Sequence, residues 1–111
     1  MPVSDQFLDY VIDQLSSWGE VYARRMFGGA GLYREGKMFG LVADDVAYLK
    51  ADDSNRAAFE KAGSAPFKPY PDRKTVMPYY EIPADVLEDP KQLGRWAERS
   101  FAIRGRAKKK K

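Results

Sequence analysis

The stretch Val21–Lys50, VYARRMFGGAGLYREGKMFGLVADDVAYLK, sets the architecture. Four short β-like runs, Val21–Phe27, Ala30–Arg34, Lys37–Val42 and Val46–Lys50, are separated by Gly28-Gly29, Glu35-Gly36 and Asp44-Asp45. A parallel return needs a dozen or more residues, so breaks this short permit only antiparallel hairpins. The segment reads as a four-strand meander. Its densest feature is Arg24-Arg25-Met26-Phe27-Gly28-Gly29-Ala30-Gly31, two guanidinium groups leading into three glycines. Glycine at that density marks backbone that turns with positive φ or passes close to something else.

Helical spacing flanks the meander. Ser4 is placed to cap a first helix, with Asp5 in its first turn and Phe7, Leu8, Val11, Ile12 and Leu15 on one stripe. After Lys50, Asp52 or Asp53 is expected to cap a short second helix through Ala57, Ala58, Phe59 and Ala62, ended by Gly63. Pro66, Pro69 and Pro71 force an irregular crossing. Lys74–Ile82 reads as a late strand, and Pro78, which has no amide to donate, places it at an edge or a bulge. Asp89-Pro90 is a strong helix start, and Gln92 sits where a capping-box partner would. Leu93, Trp96, Ala97 and Phe101 form the last buried stripe, ended by Gly105. The expected fold class is α+β: an antiparallel sheet of four meander strands plus one or two late strands, with three helices packed against it. Phe7, Leu8, Val11, Leu15, Leu41, Leu49, Phe59, Leu93, Trp96 and Phe101 are expected in the core.

The chain has 111 residues, enough for one core and too few for two. No apolar run approaches the ~18 residues of a membrane span, and the start of the chain lacks a signal-peptide pattern, so a cytoplasmic address is expected. Cysteine and histidine are both absent. That removes disulfides, thiolate and Ser-His-Asp nucleophiles, and imidazole as base or metal ligand. No enzyme activity, cofactor or metal is expected. The net charge of +3 is uneven, because Arg104, Arg106, Lys108, Lys109, Lys110 and Lys111 are basic with no acid among them. Residues 1–103 carry 13 basic and 16 acidic side chains, a net −3. The chain therefore divides into a domain over 1–104 and a flexible basic tail over 105–111.

Three motifs reduce to ordinary structure. Gly31 to Lys37 matches glycine, four residues, Gly-Lys, but Met38 follows where magnesium binding wants Ser or Thr. A strand also follows where a phosphate loop opens a helix. Asp44-Asp45 and Asp52-Asp53 have the composition of a turn and a helix cap. The aromatic cluster Phe67, Tyr70, Tyr79 and Tyr80, with Met77, suits core packing or a protein interface better than an RNA-stacking face. Arg24, Arg25, Gly28, Gly29 and Gly31 are the candidate partner-binding residues. A glycine turn that displays arginine suits an acidic or planar group. The tail cations are candidates for weak, sequence-blind contact with nucleic acid.

Arg25-Met26-Phe27-Gly28-Gly29 with Gly31-Leu32-Tyr33, Gly40-Leu41-Val42, Tyr48-Leu49-Lys50, Met77-Pro78-Tyr79-Tyr80-Glu81-Ile82-Pro83 and the helix holding Leu93 and Trp96 resemble, in order, the motifs of the TfoX N-terminal domain family. The likeness covers roughly residues 8 to 103. The resemblance implies an antiparallel sheet with packed helices and no catalytic residues. It also implies a regulatory setting, since well-known members promote DNA-uptake genes alongside the cyclic-AMP receptor protein and carry a second, helical domain. The function expected is a non-catalytic regulatory adaptor with a protein partner, a transcription factor or RNA polymerase, and a homodimer is compatible with it. The alternative is a nucleic-acid accessory that works through the tail.

Overall fold

Ser4 opens the first helix as its sequence position implies. Its Oγ accepts from the Phe7 amide at 3.1 Å, and α1 runs Asp5–Leu15 with Leu8, Val11 and Leu15 buried. In this computed structural model the described residues are 4–26, 29–67 and 78–103. Among them no helix is long and apolar enough to cross a membrane.

The meander follows as β1 Tyr22–Met26, β2 Gly29–Arg34, β3 Lys37–Ala43 and β4 Val46–Lys50. Glu35 and Gly36 have φ of 53° and 80°, and Asp44 and Asp45 have 54° and 57°. Left-handed backbone at both central positions matches the twist of two antiparallel strands, and Asp and Gly tolerate it best. Asp45 has a second role: its Oδ1 accepts from the Ser4 amide at 2.7 Å, tying the β3–β4 turn to the start of α1.

The β2–β3 pair is irregular. Leu32 pairs with Gly40 and Tyr33 with Met38, so Phe39 is an extra residue, a β-bulge. The bulge turns Phe39 toward the helices, where the Trp18 ring meets it edge-on at 5.1 Å. Gly40 is needed beside it, because a Cβ there would lie 2.6 Å from the Tyr48 carbonyl oxygen.

Asp52 and Asp53 do not cap the second helix. Asp52 Oδ1 accepts instead from the Ser54 amide, closing a local turn, and Asn55 occupies the cap position ahead of α2, Arg56–Lys61. Asn55 is buried and spends its side chain elsewhere, accepting from the Asp52 amide at 2.8 Å and donating to the Lys50 carbonyl at 3.1 Å. The far end of α2 closes as a Schellman motif on Gly63, at φ 80°.

β5, Tyr79–Glu81, pairs with β4 and completes an antiparallel sheet in the order β1-β2-β3-β4-β5. Pro78 precedes it directly, and an isolated bridge from Pro66 to Tyr80 lies along its outer side. Among the described residues the helices number four rather than three, because a single turn, α3 Ala84–Leu87, starts behind Pro83. In α4, Pro90–Phe101, Asp89 caps the amides of Lys91 and Gln92, and Gln92 Nε2 returns a bond to Asp89 Oδ2 at 3.2 Å.

The core lies between the helices and one sheet face. Val11, Leu15, Leu32, Phe39, Leu49 and Leu93 are fully enclosed there. Each such side chain contributes ~1.5–3 kcal/mol by leaving water. Leu8, Leu41 and Phe59 are also buried, whereas Phe7, Trp96 and Phe101 are half-buried on the rim. Lys74 to Met77, Tyr70, Phe27 and Gly105 lie outside the described residues.

Candidate functional site

Strand alternation sorts the residues of the β1–β2 hairpin between two faces. Ala23 and Arg25 share the face of Leu32 and Ala30, toward the helices. Tyr22, Arg24 and Met26 share the opposite face with Tyr33, Gly31 and Gly29. The two arginines therefore part. Arg25 reaches α1 and pairs with the Asp5 carboxylate, both side chains remaining more than half exposed at 54% and 86%. Arg24 stays on the face that carries no helix among the described residues, its guanidinium 5.6 Å from the centre of the Tyr33 ring. Tyr33 in turn stacks on Tyr22 at 5.7 Å and 16°. Tyr22 is 45% exposed, so this cation–aromatic stack stands at an accessible corner of the sheet.

The glycines serve close approach rather than display. A Cβ on Gly29 would meet the Val42 carbonyl oxygen at 2.5 Å. Gly31 is buried where Met26, Tyr33 and Met38 close over it. Both are strand residues without positive φ. Gly28 and the tail cations Arg104, Arg106, Lys108, Lys109, Lys110 and Lys111 lie outside the described residues.

Beyond Met38 the same face carries a second, smaller apolar cluster. Leu41, Ala43 and Tyr79 are its buried members, with Tyr48 and Phe67 stacked against them at 4.9 Å from each other. Burial pushes the Tyr79 phenol above its ordinary pKa, and burial together with Glu81 and Asp44 does the same for Tyr48. Both therefore stay protonated at neutral pH and cannot act as bases. Among the described residues no three carboxylates gather as a metal site. The expected turn role accounts for Asp44 and Asp45, whereas Asp52 closes a local turn on Ser54 in place of the expected cap, and Asp53 pairs with Arg56.

One cluster was missed by reasoning from sequence. Arg34, at the end of β2, faces the helices, its guanidinium 4.4 Å from the Trp18 ring and 5.1 Å from the Phe101 ring. Glu98 accepts from Trp18 Nε1 at 3.0 Å and lies 3.7 Å from Arg34. Alternation from Leu32 would have put Arg34 on that face, where a charge needs aromatic or acidic company. The cluster locks α4 to the sheet.

The sequence pattern of the TfoX N-terminal domain matches residues 13–103, most of the chain. The chain belongs to this family. It is 35% identical over 66 residues to the "DNA transformation protein TfoX1" of Aliivibrio fischeri (strain ATCC 700601 / ES114), covering 60% of this chain and 30% of that protein. It is also 32% identical over 89 residues to the "Uncharacterized 12.7 kDa protein in trpE 5'region" of Spirochaeta aurantia, covering 80% of this chain and 72% of that one. The match thus spans under a third of the transformation protein and most of the small one.

Proposed function

We propose that this chain is a non-catalytic regulatory adaptor that acts by protein contact, in the DNA-transformation setting named for its Aliivibrio relative. One observation carries the reading: Arg24 is an accessible cation fixed over an aromatic stack, with no carboxylate paired to it among the described residues. A cation held in place by a ring loses less side-chain freedom on meeting an acidic or planar group, and arginine can bind such a group with two parallel hydrogen bonds. The protein partner fitting this setting is a transcription factor or RNA polymerase. The chemistry of the chain points the same way, since the raised phenols of Tyr48 and Tyr79 stay neutral and the sequence has no histidine or cysteine.

The test is capture from an extract of the native cell on the tagged full chain. Arg24→Ala with Arg25→Ala should weaken capture of the specific partner while the melting temperature moves little, because the Arg25–Asp5 pair is exposed and worth at most ~1 kcal/mol. If the double variant unfolds, the arginines are structural and the surface is misassigned. Turnover of a nucleotide, ester or sugar phosphate would reject the adaptor reading outright. A second reading rests on the charge separation between the −3 body and the tail. Removing residues 104–111 should then abolish DNA retention at low salt and leave the melt unchanged.

A further inference from the structure

β1 stands first in the sheet order and, among the described residues, pairs only with β2. The direction of its backbone groups follows from the ladder. Glu35 and Gly36 are the central residues of the β2–β3 turn, so Arg34 and Lys37 form its closing hydrogen-bonded pair and Arg34 aims its amide and carbonyl at β3. Alternation along β2 then aims the groups of Tyr33, Gly31 and Gly29 at β1, where they meet Tyr22, Arg24 and Met26. Ala23 consequently points its own amide and carbonyl outward, and neither has a partner among the described residues. Its side chain packs against the core, which holds this stretch of edge in place.

We propose that this edge receives an extended acidic segment of a partner protein, added to the sheet as a further strand. The inference rests on the adaptor reading and names how its partner is held. Main-chain bonds to Ala23 would supply affinity, and alternate side chains of the added strand would supply selection. The residue opposite Arg24 lies on the same face of the sheet as Arg24, with Cβ atoms about 5 Å apart, the reach of an Arg–carboxylate pair. Arg24 has no competing acid there among the described residues, whereas Arg25 is engaged by Asp5 on the other face. Two residues along, the added strand faces the exposed Tyr22 ring, which favours an apolar or β-branched neighbour. A second copy of this chain fits less well, because two-fold pairing centred on Arg24 sets two guanidinium groups opposite each other, and pairing centred on Ala23 sets Arg24 opposite Tyr22, so neither brings it a carboxylate.

The probe is a blocked heptapeptide, Thr-Val-Thr-Glu-Thr-Val-Thr, titrated into the isotope-labelled full chain and followed by amide chemical shifts. The Ala23 amide should move, and a peptide with Lys in place of Glu should bind at least about fivefold more weakly. Arg24→Ala should erase that preference. Ala23→Pro removes the outward amide at an edge position that tolerates proline, and should weaken binding about tenfold. A control on the ligand avoids any question of folding. In the antiparallel arrangement, N-methylation of the threonine after Glu, whose amide faces Ala23, should abolish binding, while N-methylation of Glu should not. An unmoved Ala23 amide, equal binding of the Lys peptide, or indifference to the site of N-methylation would overturn the proposal. So would a dimer in ultracentrifugation that the Glu peptide fails to dissociate. If the peptide fails while Arg24-dependent capture from extract persists, strand addition is wrong and the adaptor reading stands. The reverse outcome retains the edge site and removes the adaptor reading.

Discussion

Replacing Gly40 with alanine would put a methyl carbon 2.6 Å from the Tyr48 carbonyl oxygen and 3.4 Å from methyl groups of Leu32 and Leu49. A carbon–oxygen contact ordinarily settles near ~3.4 Å, so roughly 0.8 Å has to be found. It must be found in backbone, because the clashing atom belongs to the β3–β4 ladder in which Gly40 pairs with Leu49. Overpacking of this kind costs ~1–3 kcal/mol, and alanine regains ~0.5–1 kcal/mol through its lower entropy cost in a strand. The net expectation is a loss of about 1–2 kcal/mol. For a domain of this size that lowers the melting temperature by roughly 5–15 °C. Thermal melts followed by circular dichroism would read it, and urea melts should show a lower midpoint with an unchanged slope. Gly31→Ala is the matched control. Its Cβ would meet Met26 Cε at 2.9 Å, Tyr33 Cε1 at 3.0 Å and Met38 Cε at 3.2 Å. Two of those three are ends of methionine side chains that can swing aside, so the cost should stay below ~1 kcal/mol. A Gly40→Ala protein that melts like the parent, or a Gly31→Ala protein that loses as much, would refute the distinction between rigid and yielding neighbours.

Three other outcomes follow from described contacts. Arg34→Ala should cost about 1–2 kcal/mol, because the side chain is only 23% exposed and its stacking on Trp18 and Phe101 is lost; an unchanged near-ultraviolet Trp signal would contradict this. Asn55→Ala should cost ~2 kcal/mol by stranding the Asp52 amide and one bond to the Lys50 carbonyl, measured as a urea midpoint. With no histidine in the chain, stability should be flat between about pH 6 and 9. The Gln92 side chain lowers the Asp89 pKa and the Ser54 hydroxyl lowers that of Asp52, so their contributions are present above the usual carboxylate range and fade as pH falls through it. Burial raises the Tyr79 pKa, so above its ordinary value of 10.0 the unfolded chain ionises first and stability falls as pH rises. Chemical melts across the pH range would check all three segments.

The meander was legible because the breaks at Glu35-Gly36 and Asp44-Asp45 carried turn residues, and the strand starts at Lys37 and Val46 agree with the reading. Asp89-Pro90 fixed the start of α4 for the same local reason. The misreadings share a different cause. α3 is one turn, too short for helical periodicity to show, and the Asn55 cap position depends on a bond to Lys50 that joins separate elements. The bulge at Phe39 hid in an unbroken apolar run, which cannot announce that two successive residues face the same way. At the candidate site, the alternation that any strand imposes on adjacent residues gives Arg24 and Arg25 separate faces and separate partners. Glycine density left a turn and a close approach equally open, and Gly29 and Gly31 prove to be the second, strand positions pressed against Val42 and a methionine pair.

The sequential order of the strands bears on how the chain acquires its structure. Each strand pairs with its predecessor, and the first three pairings close across residues 27–28, 35–36 and 44–45. Small loop closures lose little entropy per step, so the sheet can assemble as a run of local, rapid events. The contact that spans the chain belongs to the helices. Trp18, just after α1, gains Phe101 and Glu98 only when α4 arrives. The indole of Trp18 is therefore a built-in reporter of the slowest closure. In a Trp96→Phe background its emission should trail far-ultraviolet ellipticity during refolding.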